Sequence, residues 1–98
     1  MNTPAPPLAT IPTLTLPRTL FAVGAIRALP GELENLGVCK PLVVTDAGLV
    51  AAGVAAKVVM ACGDAATAVV FDHVTENPLY ADVDAGAATY LTHACDGV

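Results

Sequence analysis

The stretch that decides the fold is PLVVTDAGL, residues 41–49. Its apolar, largely β-branched run, residues 41–45, is typical of a buried strand, and the run ends abruptly in the carboxylate of Asp46. Small residues follow, and the apolar segment 47–62 predicts a helix that Gly63 ends. A buried strand that passes directly into a helix is the first half of a βαβ unit.

The segments on both sides continue this alternation. Residues 65–71 predict a second buried strand, residues 72–79 a loop, residues 80–94 a helix, and residues 97–98 the beginning of another strand. Upstream, residues 26–36 predict a short helix closed by Gly37, and residues 13–16 and 19–23 predict two short strands at the edge of a sheet. This order predicts an α/β fold, a Rossmann-like parallel sheet with helices on both faces.

Length and composition give the domain organisation. The 98 residues suffice for one domain. We assign residues 1–12 to a proline-rich flexible arm and residues 13–98 to a partial nucleotide-binding α/β domain. Hydrophobic residues make up 55% of the chain and charged residues only 13%. More protein is therefore needed to cover the surface, and we expect a homo-oligomer or association through an exposed surface.

Charge and motif content argue against several classes of protein. The net charge is −5, and the basic residues are scattered, so we expect no nucleic-acid partner. Neither a signal peptide nor a membrane span is recognisable, so we expect no membrane partner and a cytoplasmic location. The three cysteines are far apart and lack CxxC spacing, which suggests neither a disulfide framework nor a zinc site.

Asp46 is the first candidate for a functional residue. In open α/β sheets the ligand lies beyond the carboxyl ends of the strands, where Asp46 is predicted to be. A carboxylate there can accept hydrogen bonds from both hydroxyls of an adenosine ribose. Alternatively, Asp46 caps the following helix by accepting a backbone N–H, and one carboxylate could not easily do both fully. The pattern alone leaves both interpretations open.

Other polar residues give weaker indications. Asn77 follows the second strand and shares its rim with Asp46, where its amide could bond a ligand or stabilise its own turn before Pro78. His73 and His93 have no second metal ligand at helical spacing, and no nucleophile arrangement is evident. A GxGxxG motif is missing, while Gly48 and Gly53 are expected to allow close packing of a helix. The residues alone predict a nucleotide-binding α/β unit without a catalytic group.

Two long segments carry a family resemblance: PRTLFAVGAIRALPGELENLGVCKPLVVTDAGLVAAG and VVFDHVTENPLYADVDAGAATYLTHACDGV. These segments resemble the start of an iron-containing (group III) alcohol dehydrogenase. The resemblance is carried by VTD followed by GL, then NP, then DGV, in this order and at these intervals. The resemblance implies the dehydroquinate synthase-like architecture of that family. It also implies that Asp46 contacts the adenosine ribose of the nicotinamide cofactor and that Asn77 lies beside the cofactor. Leu79 borders it too, at a position that is commonly Thr in the family.

The resemblance implies a function as well. The family transfers a hydride between an alcohol or aldehyde and NAD(P), and we expect NAD rather than NADP here. Iron or another divalent metal polarises the alcohol oxygen, but its ligands belong to a C-terminal helical domain outside this chain. The family's glycine-rich pyrophosphate loop would follow Val98. We therefore expect the N-terminal cofactor-binding part of such an enzyme, with no catalytic or metal-binding residue and no activity alone.

Two alternatives to this interpretation remain. The first is a related enzyme on the same fold, such as a glycerol dehydrogenase, a maleylacetate reductase or a dehydroquinate synthase. The VTDAGL and ENP pattern favours the alcohol dehydrogenases over these. The second is a short non-enzymatic α/β module that binds a protein through its exposed edge.

Overall fold

The computed structural model describes residues 16–98. Its elements alternate in the predicted α/β order. They are a 3₁₀ helix (Ala25–Ala28), α1 (Leu29–Leu36), β1 (Leu42–Val44), α2 (Ala47–Ala51), α3 (Val54–Ala61), β2 (Val69–Phe71) and α4 (Tyr80–Thr92). Both strands are shorter than the segments predicted from the sequence. Along residues 16–98, the structure contains no helix long and apolar enough to cross a membrane.

The sheet is parallel, as predicted. β1 and β2 pair in register, with Val43 opposite Val70. On the other edge of β1, Gly97 forms a parallel bridge with Pro41, and the Leu42 N–H donates to the Gly97 carbonyl oxygen at 2.8 Å. The expected beginning of another strand at residues 97–98 is therefore present as this bridge. The spatial order is β2, β1, Gly97, so the chain returns across β1.

The core lies on the face of the sheet that α4 covers. Leu42, Phe71 and Cys95 are buried together, and Tyr90 of α4 packs against them. α4 lies close to the sheet at Gly86, where a Cβ would be in ordinary van der Waals contact with the Phe71 ring, at 3.6 Å. Among the large apolar residues of α4, Tyr90 packs in this core, whereas Val83 and Leu91 remain exposed.

The opposite face of the sheet belongs to α1 and α3. Side chains alternate along a strand, and Val43 lines a cavity on this side together with Leu33 of α1 and Val58 of α3. The two crossover connections therefore run over opposite faces, as a right-handed return across β1 requires. Such a reversal of strand order is a topological switch point, and ligands bind beyond the carboxyl ends of the strands there.

The prediction of a single helix over residues 47–62 is wrong in one respect. The helix breaks at Ala52 and Gly53, and α3 starts afresh after Gly53, whose φ is 79°. Nothing lies within 4 Å of a Cβ built on Gly53, so its role is the left-handed conformation and not close packing. The helix predicted for residues 26–36 is likewise divided, into the 3₁₀ helix and α1. Gly37 ends α1 with φ 70°, as expected.

The strand predicted for residues 19–23 is also wrong. This segment is irregular and enters a turn, with Phe21 and Val23 almost fully exposed. An extended segment that buries no side chain has little to offset the entropy of ordering it. The other predicted edge strand, residues 13–16, lies outside the described residues except for Leu16, which is not in a strand. The proline-rich arm lies wholly outside them.

Candidate functional site

Asp46 lies where β1 gives way to α2. Its backbone is extended, with φ −123° and ψ 167°, which is the ordinary geometry of a residue that precedes a helix. Its Oδ1 accepts a hydrogen bond from the Leu49 N–H at 2.8 Å. The capping role that the sequence left open is therefore real. It satisfies one of the free amides in the first turn of α2.

The cap occupies only part of the Asp46 carboxylate. Within residues 16–98 no protein partner is recorded for Oδ2, and the side chain is half-buried. Gly48 keeps the neighbourhood open, since a Cβ at that position would come within 3.3 Å of Oδ1. A carboxylate offers about four lone-pair sites. Oδ2 therefore keeps acceptor capacity for a ligand while Oδ1 caps α2.

Asn77 and Leu79 follow β2 on the same edge of the sheet as Asp46. The parallel pairing of β1 with β2 places the carboxyl ends of both strands there. Asn77 is exposed, and within the described part of the chain no partner is recorded for its side-chain amide. Leu79 precedes α4 in an extended conformation and is 65% exposed. Its hydrocarbon side chain offers an apolar contact but no hydrogen bond.

A hydrogen-bonded pair that the sequence did not predict, Thr75 and Asp82, flanks Asn77. The Oδ2 atom of Asp82 accepts the Thr75 hydroxyl at 2.9 Å and the Leu79 N–H at 3.1 Å. The Leu79 amide, and then the Thr75 hydroxyl, lower the pKa of the Asp82 carboxyl. An acidic residue three positions after a helix-capping residue is one half of a capping box, a pattern that could have revealed Asp82. Nothing in the sequence pattern indicates Thr75.

The histidines have local partners. His73 Nδ1 lies 3.0 Å from Asp72 Oδ1 on the surface, and His93 Nδ1 lies 3.0 Å from the Thr89 carbonyl oxygen. Cys95 is buried in the core, while His93 is exposed. The side chains of His93 and Cys95, at the end of α4, therefore point in different directions.

A match to a known protein family covers almost all of the described residues. Residues 17–98 match the family described as iron-containing alcohol dehydrogenase. The chain belongs to this family. The resemblance carried by VTD, NP and DGV is thereby confirmed over nearly the whole described chain. The two-strand parallel sheet with flanking helices fits part of the Rossmann-like domain of the iron-containing alcohol dehydrogenases.

Two curated relatives are similar to this member of the family. A 4-hydroxybutyrate dehydrogenase of Cupriavidus necator is 44% identical over 75 residues, which cover 76% of this chain and 19% of the relative. A choline dehydrogenase of Bacillus subtilis (strain 168) is 36% identical over 88 residues, which cover 88% of this chain and 22% of the relative. The chain thus spans about a fifth of the length of these relatives.

The iron of the family has no fitting site among the described residues. Nowhere in residues 16–98 do three His, Cys, Asp or Glu side chains group so that they could hold a metal ion. The nicotinamide cofactor fits better. An acceptor atom without a protein partner within residues 16–98, Oδ2 of Asp46, lies at the switch point where such folds bind nucleotides.

Proposed function

We propose that this chain supplies the adenosine-binding side of the cofactor site in an NAD-dependent alcohol dehydrogenase. The observation that carries the proposal is the position of Asp46 at the carboxyl end of β1, where Oδ1 caps the helix and Oδ2 has no partner within residues 16–98. The cap also supports binding, because it fixes the carboxylate in one orientation before a ligand arrives. A preorganised acceptor loses less entropy on binding than a mobile one.

The same geometry favours NAD over NADP. The ribose of NAD presents two neighbouring hydroxyls, and both are donors that a carboxylate can accept. A 2′-phosphate in NADP would bring a second negative charge against Asp46, and like charges in a half-buried site repel strongly. Hydrogen bonds to a charged acceptor contribute about 1.5–3 kcal/mol. Their loss corresponds to roughly 10- to 100-fold in affinity.

The substrate class that we propose is an alcohol, in exchange with its aldehyde. Both relatives are named as dehydrogenases of hydroxylated compounds, 4-hydroxybutyrate and choline. Asp46 would hold the adenosine ribose of the cofactor, and the bound cofactor would supply the hydride-accepting chemistry for the alcohol. The described residues bind and orient the cofactor; none of them is assigned a proton-transfer or metal-binding role. Asn77 and Leu79 lie on the same edge as Asp46 and are proposed to border the cofactor.

The test separates the ribose contact from the helix cap. Asn caps helices about as well as Asp, so Asp46→Asn keeps the cap but removes the charge. We expect NAD⁺ to bind roughly 10- to 100-fold more weakly and the preference over NADP⁺ to fall. Dissociation constants for both cofactors are measured by isothermal titration calorimetry on the full-length product of the gene, with the melting temperature recorded beside them.

Asp84→Asn is the matched control, because it makes the same chemical change on an exposed position of α4. It should leave both dissociation constants alone. If Asp46→Asn changes neither cofactor's affinity, Asp46 is only a helix cap. If the wild-type protein binds neither cofactor, the proposed function itself falls.

A further inference from the structure

The loop that carries Asn77 is closed on itself by one carboxylate oxygen. Oδ2 of Asp82 receives the Thr75 hydroxyl, two residues before Asn77, and the Leu79 N–H, two residues after it. Both flanks of Asn77 are thus tied to the first turn of α4. The Thr75 hydroxyl also lies 3.1 Å from the Asn77 carbonyl oxygen. Since it carries one hydrogen, the charged acceptor on Asp82 takes the stronger bond.

Further restraints act on the same short segment. Pro78 has a fixed φ and forces the residue before it, Asn77, towards extended conformations. Val74, at the start of the loop, packs against the buried cluster of Leu42, Phe71 and Cys95. The loop is therefore anchored in the core at its start and hydrogen-bonded at both flanks. The side-chain amide of Asn77 has no hydrogen-bond partner within residues 16–98.

We propose that Thr75 and Asp82 are positioning residues that hold the Asn77 amide in place for the cofactor. This inference rests on the proposed function and deepens it, since it assigns a task to residues other than Asp46, Asn77 and Leu79. A surface loop without these bonds would sample many conformations, and binding would have to select one of them. The hydrogen bonds from Thr75 and Leu79 to Asp82 hold the loop in one conformation before the cofactor binds. The lowered pKa of Asp82 agrees with this arrangement, because both donors bind the ionised carboxylate.

The experiment is a double-mutant cycle on the full-length gene product, read by calorimetric titration with NAD⁺. Thr75→Val removes the hydroxyl and keeps the shape, and we expect about 3- to 10-fold weaker NAD⁺ binding, the equivalent of one ordinary hydrogen bond. Thr75→Ser should restore most of the affinity. In an Asn77→Ala background, Thr75→Val should have no further effect, because the group that it positions is gone.

Thr89→Val is the matched control, since the Thr89 hydroxyl also makes one short-range bond, to the Ala85 carbonyl oxygen at 3.0 Å. It should leave NAD⁺ binding unchanged. Thr75→Ala serves as a second hydroxyl deletion should Thr75→Val not fold. Additive losses in the Asn77→Ala background, or an unchanged affinity in both Thr75 deletions, would overturn the inference. Because the Asp46→Asn comparison is made in the same protein, the proposed function would then still stand or fall separately.

Discussion

Within residues 16–98, three aspartates accept hydrogen bonds from backbone amides, and they differ in how much acceptor capacity remains. Asp96 uses both oxygens, for the N–H groups of Cys39 at 2.9 Å and Lys40 at 2.7 Å. Asp82 accepts hydrogen bonds from the Thr75 hydroxyl and the Leu79 N–H on one oxygen, Oδ2. Asp46 accepts a single amide. At the scale of the residue, the one of these three with the fewest partners within residues 16–98 is Asp46, at the carboxyl end of β1. Asp96 instead serves the fold, because it joins the end of α4 to the start of β1.

We expect the hydrogen bonds from the Cys39 and Lys40 amides to Asp96 to weaken in acid, when the carboxylate becomes protonated. The Cys39 amide has the larger effect and the Lys40 amide the smaller one, and both lower the pKa of the Asp96 carboxyl. A depressed folded-state pKa means that the stabilisation is complete above the unfolded value of about 3.9 and is lost as the pH falls through the lower, folded value. An NMR titration of the Cys39 and Lys40 amide shifts should therefore show a midpoint below about 3.9.

Two variants check that assignment. Asp96→Asn should abolish the titration step at the Cys39 and Lys40 amides, whereas Asp84→Asn, on the exposed surface of α4, should leave it unchanged. A midpoint at or above the ordinary aspartate value would show that the amides do not favour the ionised form. A step that survives in Asp96→Asn would belong to another group.

The sequence could predict the position of Asp46 but not the partners of Asp96. Asp46 ends an apolar run, and its cap is made with Leu49, three residues on, so a local pattern contains all the information. The amides that Asp96 binds lie 57 and 56 residues earlier. Such a contact depends on the strand order, which periodicity does not reveal. The Thr75 bond to Asp82 was missed for a related reason, since a hydroxyl in a loop has many possible acceptors.

At the scale of the element, the helices and buried strands were predictable and their ends were not. The buried strands follow from apolar runs, and α4 from its spacing, because burial sets both patterns. The break at Gly53 does not alter the apolar content of residues 47–62, so hydrophobicity alone could not locate it. Residues 19–23 look like a strand, yet Phe21 and Val23 find nothing to pack against among the described residues. Propensity predicts a strand only where a partner is available.

The start of α4 offers a stabilising substitution. Leu79 occupies the capping position but has no acceptor, so Asp82 supplies only half of a capping box. Leu79→Thr adds the missing oxygen for a free amide in the first turn. We expect about 1 kcal/mol of stabilisation, which raises the melting temperature of a domain of this size by about 4–8 °C. Thermal unfolding is followed by circular dichroism.

Val83→Thr is the matched control for this substitution. Val83 is exposed to the same extent as Leu79, 65%, but lies inside α4, where a hydroxyl cannot cap the helix. It should not raise the melting temperature. Equal effects of the two substitutions would mean that the gain comes from reduced surface apolarity and that the cap contributes nothing.

At the scale of the whole molecule, the chain exposes an apolar cleft between the sheet and α4. The cleft measures about 680 Å³, and Asp82 is the one charged residue among the described residues that line it. Several of its large apolar side chains are exposed, among them Val44, Val83, Leu91 and Val98. Apolar surface gathered in one place favours association, whereas the same residues scattered singly would not. The association expected from composition is accordingly proposed to use this cleft.

We predict that the 98-residue chain self-associates through the cleft and that charge introduced there reduces the association. Leu91 lines the cleft and is 76% exposed, so Leu91→Lys should lower the mean mass in sedimentation velocity at a given concentration. Met60→Lys is the control, since Met60 is 81% exposed on α3 and does not line the cleft. Both variants change the net charge equally, so a general charge effect would act on both. A wild-type chain that sediments as a monomer at every concentration contradicts the prediction, and an equal response of the two variants assigns the association to another surface.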